Sequence, residues 1–174
     1  RLRAADATGT AAVKLIGSQL TPERIVNQKS VENALRVLLA IGGSTNAIIH
    51  LTAIAGRAGI PVSLQRLNEL SDSTPVLVNL KPVGNGYMED FFAAGGMGAL
   101  LRELEDLLHL DCMTVTGETL GERLTHDDEG WVDRSIIAER NKPLEAEGGL
   151  VALFGNLAPQ GAILKRSSAD PNLF

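Results

Sequence analysis

Ile41-Gly42-Gly43-Ser44-Thr45-Asn46-Ala47-Ile48-Ile49-His50 is the stretch on which the reading of this chain turns. Two residues without a Cβ precede three that can cap a helix, and a nearly uniform apolar run continues to Ala58. A helix start carries unpaired backbone N–H groups and a partial positive charge, and glycines ahead of it let a ligand approach the backbone. The arrangement suits an anion or a polar small molecule. The helix behind it is too apolar for a surface helix, which places this edge in the interior of a domain. For Ser44, Thr45 and Asn46 two readings stay open: capping alone, and capping with ligand contact.

On the N-terminal side, Ser30 opens a helix in which Val31, Ala34, Leu35, Leu38 and Ile41 share a face and Glu32 pairs with Arg36 at i,i+4. Thr21-Pro22-Glu23 is an earlier helix start, and residues 1–18 carry an imperfect helical stripe of Leu2, Ala5, Ala12, Leu15 and Ile16. On the C-terminal side, helix is predicted at 63–70, 88–94, 98–108 and 119–124, with short apolar strands at 76–78 and 113–116 and a loop at 81–87. From Thr125 the composition shifts. Asp127, Asp128 and Glu129 form an acidic loop, and strands are expected at 151–154 and 162–164 around Gly155-Asn156-Leu157-Ala158-Pro159. Helices alternating with short apolar strands give an α/β class to about residue 145 and a β-rich start beyond it.

A chain of 174 residues buries roughly 70% of its unfolded surface and needs neither disulfide nor metal for stability. Cys112 is the only cysteine, so no intrachain disulfide exists and a reducing, cytoplasmic compartment is the expectation. Aromatic residues are 3% of the chain, so the core is aliphatic. A net charge of −5 with scattered Lys and Arg argues against nucleic-acid binding, and no apolar run reaches membrane-spanning length.

Chemistry has few places to sit. Asn46, His50 and Arg57 share one face of the helix that follows the diglycine, and the simpler reading of His50 is a satisfied core histidine. Glu89 and Asp90 are candidates for acid, base or metal ligand, but carboxylates in a first helical turn also favour its dipole without further assumption. His109, Asp111 and Cys112 offer metal-binding atoms without a second pair of ligands, and Cys112 reads as a small core residue. His126 beside Asp127 and Asp128 reads as a solvated charged loop. No nucleophile–base set, zinc spacing, phosphate loop or dinucleotide fingerprint is present.

The order of short words resembles one family, the dihydroxy-acid dehydratases and 6-phosphogluconate dehydratases. The words are Glu32-Asn33-Ala34, Gly42-Gly43-Ser44-Thr45-Asn46, His50-Leu51, Ala53-Ile54-Ala55, Pro82-Val83-Gly84, Met88-Glu89-Asp90, Ala94-Gly95-Gly96, Thr114-Val115-Thr116-Gly117 and Gly155-Asn156-Leu157-Ala158-Pro159. Met88-Glu89-Asp90-Phe91, Glu147-Gly148-Gly149-Leu150 and the run from Glu103 to Cys112 look most like the sugar-acid (aldonate) dehydratases. Gly86 departs from that subgroup, where a bulkier residue is expected.

The resemblance implies an internal fragment. Residues 1–145 would be the second half of a parallel-sheet N-terminal α/β domain, and 146–174 the connection and first strands of a C-terminal β-barrel domain. It implies a hydro-lyase parent that dehydrates a sugar acid, or a related 2,3-dihydroxy acid, to a 2-keto-3-deoxy acid. In such a parent an iron–sulfur cluster on three cysteines and a magnesium ion serve the reaction, and a serine takes the C2 proton. One cysteine cannot hold that cluster, so these ligands fall outside this chain, no catalytic or metal residue is assigned to it, and the fragment alone is expected to be inactive. Ser44, Thr45 and Asn46 are the candidate substrate-binding residues. The implied partners are a small-molecule sugar acid, the rest of the parent chain and further copies in a dimer or tetramer, with no nucleic acid and no membrane. The alternative is a non-catalytic α/β module that binds a small anion at residues 43–46.

Overall fold

The computed structural model describes residues 2–126 and 130–169, so the acidic loop predicted at Asp127, Asp128 and Glu129 lies outside the described residues. Helix α1 (Leu2–Lys14) has no buried residue, and α2 (Pro22–Ile25) opens on a proline, whose missing N–H costs nothing at a helix start. Helix α3 (Gln28–Ile41) begins at Asn27, three residues before the predicted Ser30. Asn27 Oδ1 accepts the Ser30 N–H at 3.1 Å and Ser30 Oγ accepts the Asn27 N–H at 2.9 Å, so Ser30 is the inner half of a capping box.

Two cores meet along α3. Val31, Leu35 and Leu39 pack with Ile48 and Ala55 of α4 (Thr45–Arg57), Leu67 and Leu70 of α5 (Leu64–Asp72), and Leu150. Ala40 joins the other core with Leu77, Val78, Ile137, Phe91 of α6 (Met88–Ala93), and Leu100 of α7 (Gly96–Glu103). Helix α7 ends at Glu103, short of the expected residue 108, and gives way to a 3₁₀ turn at Glu105–Leu107; α8 (Leu120–His126) forms where helix was expected at 119–124.

Helix α4 corrects an expectation. It is a surface helix in which only Ile48 and Ala55 are buried, while Ile49 is 66% and Ile54 54% exposed. Positions 48 and 55 lie two turns apart on one stripe, Leu51 packs partly buried beside them, and Ile49 and Ile54 stay exposed.

The strands predicted at 76–78 and 113–116 are reduced to isolated bridges, Val76 with Glu145, Val78 with Ile137, and Met113 with Thr119. Leu77 spends its N–H on the Ala40 carbonyl of α3 at 2.9 Å and its own carbonyl accepts from Ala138 at 2.8 Å, so no continuous ladder forms. The one sheet among the described residues is an antiparallel hairpin, β1 (Leu150–Gly155) and β2 (Ala158–Lys165), which turns at Asn156 and Leu157. The architecture is helix-rich α/β. No helix among the described residues is long and apolar enough to cross a membrane.

Helix α5 stitches the hairpin to the helices. Fully buried Ser71 donates its hydroxyl to the Leu150 carbonyl at 2.7 Å. The Asn68 amide donates to Ala152 O at 2.8 Å and accepts from Ala152 N at 2.7 Å, as a neighbouring strand would. Asn68→Ala leaves both Ala152 groups without these partners and is expected to cost about 2 kcal/mol, seen as a lower denaturation midpoint.

Candidate functional site

The diglycine corner is built by contact between two chain segments. Gly42 ends α3 at φ 63°, a conformation that favours glycine. A Cβ on Gly43 would lie 2.4 Å from Leu38 Cδ1, and one on Gly149 would lie 2.7 Å from Gly42 Cα. Gly149 also donates to the Leu39 carbonyl at 3.2 Å. The second Gly-Gly word thus packs on the first, Gly149 against Gly42.

Ser44 caps α4 as expected, its Oγ accepting the Asn46 N–H at 3.2 Å. Ser44 and Asn46 are exposed and Thr45 is half-buried, so the edge faces outward instead of into a core. Among the described residues no hydrogen bond engages Thr45 Oγ1 or the Asn46 amide. His50 and Arg57 are exposed on the same helix, so His50 is not the core histidine that was expected. Its side chain instead helps line an open, largely apolar groove of about 750 Å³, walled by Val37, Leu38, Ile41, Leu51 and Leu101.

The other sequence candidates separate. Glu89 is exposed, and Asp90 Oδ2 accepts the Tyr87 N–H at 2.7 Å, which closes the first turn of α6. Asp111 pairs with Lys29, while His109 Nε2 lies 3.1 Å from Glu32 Oε2. Cys112 is buried beside the Asn33 amide, 3.7 Å away, and burial pushes its thiol pKa up. A thiolate ligand needs the opposite shift. Among the described residues no three His, Cys, Asp or Glu side chains gather as a metal site. His126 Nδ1 sits 3.2 Å from Glu118 Oε1 at the surface, and its neighbours Asp127 and Asp128 lie outside the described residues.

Sequence reasoning missed a buried polar cluster around Glu32. The buried Glu32 carboxylate receives Arg66 Nε at 3.0 Å and Nη2 at 2.9 Å, His109 Nε2 lies beside it, and Gln28 donates at 3.4 Å. The Arg66 fork holds the Glu32 pKa down at about 2. The predicted pair with Arg36 does not form, because Arg36 donates to Thr74 Oγ1 at 2.7 Å and Ser73 Oγ at 3.2 Å. Asn33 clamps the His109 backbone at both ends, donating to its carbonyl at 2.9 Å and accepting its N–H at 2.8 Å. The available signal was the Glu32-Asn33-Ala34 word; helical spacing sees only partners on the same helix.

Comparison with known proteins adds the following. The model for the dihydroxy-acid/6-phosphogluconate dehydratase N-terminal region matches residues 1–123, and that for the C-terminal region matches 135–174. The chain is 42% identical to a dihydroxy-acid dehydratase of Methanosarcina barkeri, covering 99% of this chain and 32% of that protein. It is 45% identical to an L-arabinonate dehydratase of Rhizobium leguminosarum bv. trifolii, covering 97% of this chain and 29% of that protein. A dihydroxy-acid dehydratase of Caldicellulosiruptor saccharolyticus is 42% identical over 99% of this chain and 31% of its own length. The chain thus spans about a third of the length of the curated relatives it matches.

Proposed function

The chain belongs to the dihydroxy-acid/6-phosphogluconate dehydratase family, and from that premise we propose that it is a segment of a hydro-lyase acting on a sugar acid. The observation that carries the sugar-acid reading is the 45% identity to an L-arabinonate dehydratase along 97% of this chain. The net reaction removes the C2 proton and the C3 hydroxyl of an aldonate as water, and the enol tautomerises to a 2-keto-3-deoxy acid. In the parent an iron–sulfur cluster would supply Lewis acidity at the departing hydroxyl and a magnesium ion would hold the substrate. The single cysteine of this chain cannot supply a three-cysteine cluster, so those ligands would come from the rest of the parent.

The contribution of this chain is framework and one polar lip. Thr45 Oγ1 and the Asn46 amide, at a helix start whose dipole favours anions, donate to the substrate carboxylate. Residues 1–145 extend the N-terminal α/β domain with its parallel sheet, and 146–174 begin the C-terminal barrel. The parent is a homo-oligomer of the cytoplasm, and the exposed apolar side of α4 is available for burial in it.

In the family-length polypeptide carrying these residues, Asn46→Ala is expected to raise KM for a five-carbon aldonate roughly tenfold with kcat within about threefold. The 174-residue chain alone should show no turnover. An unchanged KM rejects the lip, and turnover confined to branched 2,3-dihydroxy acids rejects the sugar-acid assignment. Aldonate binding without turnover by the family-length protein returns the site to a small-anion-binding module.

A further inference from the structure

Position 86 is where this chain departs from the sugar-acid subgroup, and the glycine there follows an asparagine. Asn85-Gly86 is the only Asn-Gly pair in the sequence. The packing demands that glycine, since a Cβ at 86 would lie 2.7 Å from Asn79 O and 3.0 Å from Ile136 Cδ1. Asparagine is thermolabile because the backbone nitrogen of the next residue can attack its side-chain carbonyl carbon. A side chain on that next residue hinders the approach, and glycine has none.

The loop supplies the remaining conditions. Asn85 is exposed, and its carboxamide has no hydrogen-bond partner among the described residues. The backbone on either side is wrapped around Asn79. Gly84 N–H donates to Leu80 O at 2.7 Å, Lys81 N–H to Gly86 O at 2.8 Å, and Asn85 N–H to Asn79 Oδ1 at 2.9 Å. The Gly86 N–H, the attacking group, donates to Asn79 O at 3.2 Å, a longer bond than those three. That bond has to open before the nitrogen can turn toward the Asn85 side chain, so the loop slows the reaction without blocking it. Other exposed asparagines lack one of these conditions. Asn46 lies in the first turn of α4, where the Ala47 N–H is held by Ser44 O at 3.0 Å. Asn141 and Asn156 precede Lys142 and Leu157, whose side chains crowd the nitrogen.

We propose that Asn85 is a site of spontaneous covalent modification through a cyclic imide formed with Gly86, with water as the only co-reactant. Gly86 N bonds to Asn85 Cγ, the carboxamide C–N bond breaks, and ammonia leaves with the proton that Gly86 N gave up. Water then opens the imide. Hydrolysis at the side-chain carbonyl leaves aspartate at 85, and hydrolysis at the main-chain carbonyl leaves isoaspartate, whose main chain runs through the β-carbon. Either product puts a carboxylate in the loop. Isoaspartate also lengthens the main chain between residues pinned at Asn79 and Lys81, which parts the Leu80–Gly86 bridge just ahead of α6.

Ageing the family-length polypeptide at mildly alkaline pH, followed by peptide mass mapping and isoaspartate-specific methylation, tests this. Asn85 should be the first asparagine to convert, with isoaspartate among the products. It should convert more slowly than in a free peptide spanning 81–90, by up to about a hundredfold, the effect of an opening step of about 3 kcal/mol. Unfolding in urea should restore the peptide rate, and Asn85→Gln should abolish conversion at that position while the rest of the map is unchanged. A native rate equal to that of the peptide overturns the gate at Gly86. Slowing by more than about a hundredfold, or earlier conversion of any other asparagine, overturns the site.

Discussion

Gly149→Ala is expected to destabilise the protein by about 3 kcal/mol, read as a lower denaturant midpoint at unchanged slope. The new methyl would lie 2.7 Å from Gly42 Cα, and a backbone atom cannot rotate aside as a side-chain tip can. Neither strand of the contact is free to retreat. Gly42 is fixed at φ 63° as the end of α3, and Gly149 is tied by its N–H to Leu39 O at 3.2 Å. The next residue is equally confined, since a Cβ on Gly148 would meet Ser71 Oγ at 2.7 Å and Leu39 Cδ2 at 3.0 Å. Gly56 is the control: it lies within α4 and a Cβ there meets nothing within 4 Å. Gly56→Ala should therefore stabilise by about 0.5–1 kcal/mol, because alanine loses less backbone entropy in a helix. A Gly149→Ala loss below about 0.5 kcal/mol would show that the corner relaxes and that the two Gly-Gly words are not pressed together.

That corner also shows where sequence was legible. Helix ends marked by backbone chemistry came through: Gly42 after α3, Ser44 before α4, Ser63 before α5, and the turn at Asn156 and Leu157. Each is decided by a residue and its immediate neighbours. What failed depends on distant partners. The 76–78 run has strand composition, but its neighbours are a helix carbonyl at Ala40 and single residues near 137 and 145. The apolar α4 reads as interior, yet Ile49 and Ile54 are exposed and only the stripe of Ile48, Leu51 and Ala55 meets the core. The cap of α3 is Asn27, and the Ser30 that sequence favoured serves as the inner half of the same capping box. For the site, Ser44 caps α4 as its residue type predicted but on an outward-facing edge instead of an interior one, while the Glu32 cluster, assembled from α3, α5 and the segment at His109, carries no local signature.

Glu32→Gln should lower stability near neutral pH by about 2 kcal/mol, and the difference from the parent sequence should close in acid. The carboxylate is held at a pKa of about 2 against its ordinary 4.5, chiefly by the Arg66 hydrogen bonds, with burial working in the opposite direction. A lowered pKa means that the stabilisation is complete above about pH 4.5, declines as pH falls toward 2, and is absent below it. The full shift sets a ceiling of about 3 kcal/mol. Solvent lowers the figure, because the Arg66 side chain is 43% exposed while that of Glu32 is 11%. Glutamine keeps the shape and one acceptor, so the packing of α3 against α5 is preserved and the charge alone is removed. Thermal unfolding of both proteins at pH 7 and pH 3 checks the claim. A gap of the same size at both values would mean that Glu32 acts through shape, and that the Arg66 fork contributes nothing beyond a neutral hydrogen bond.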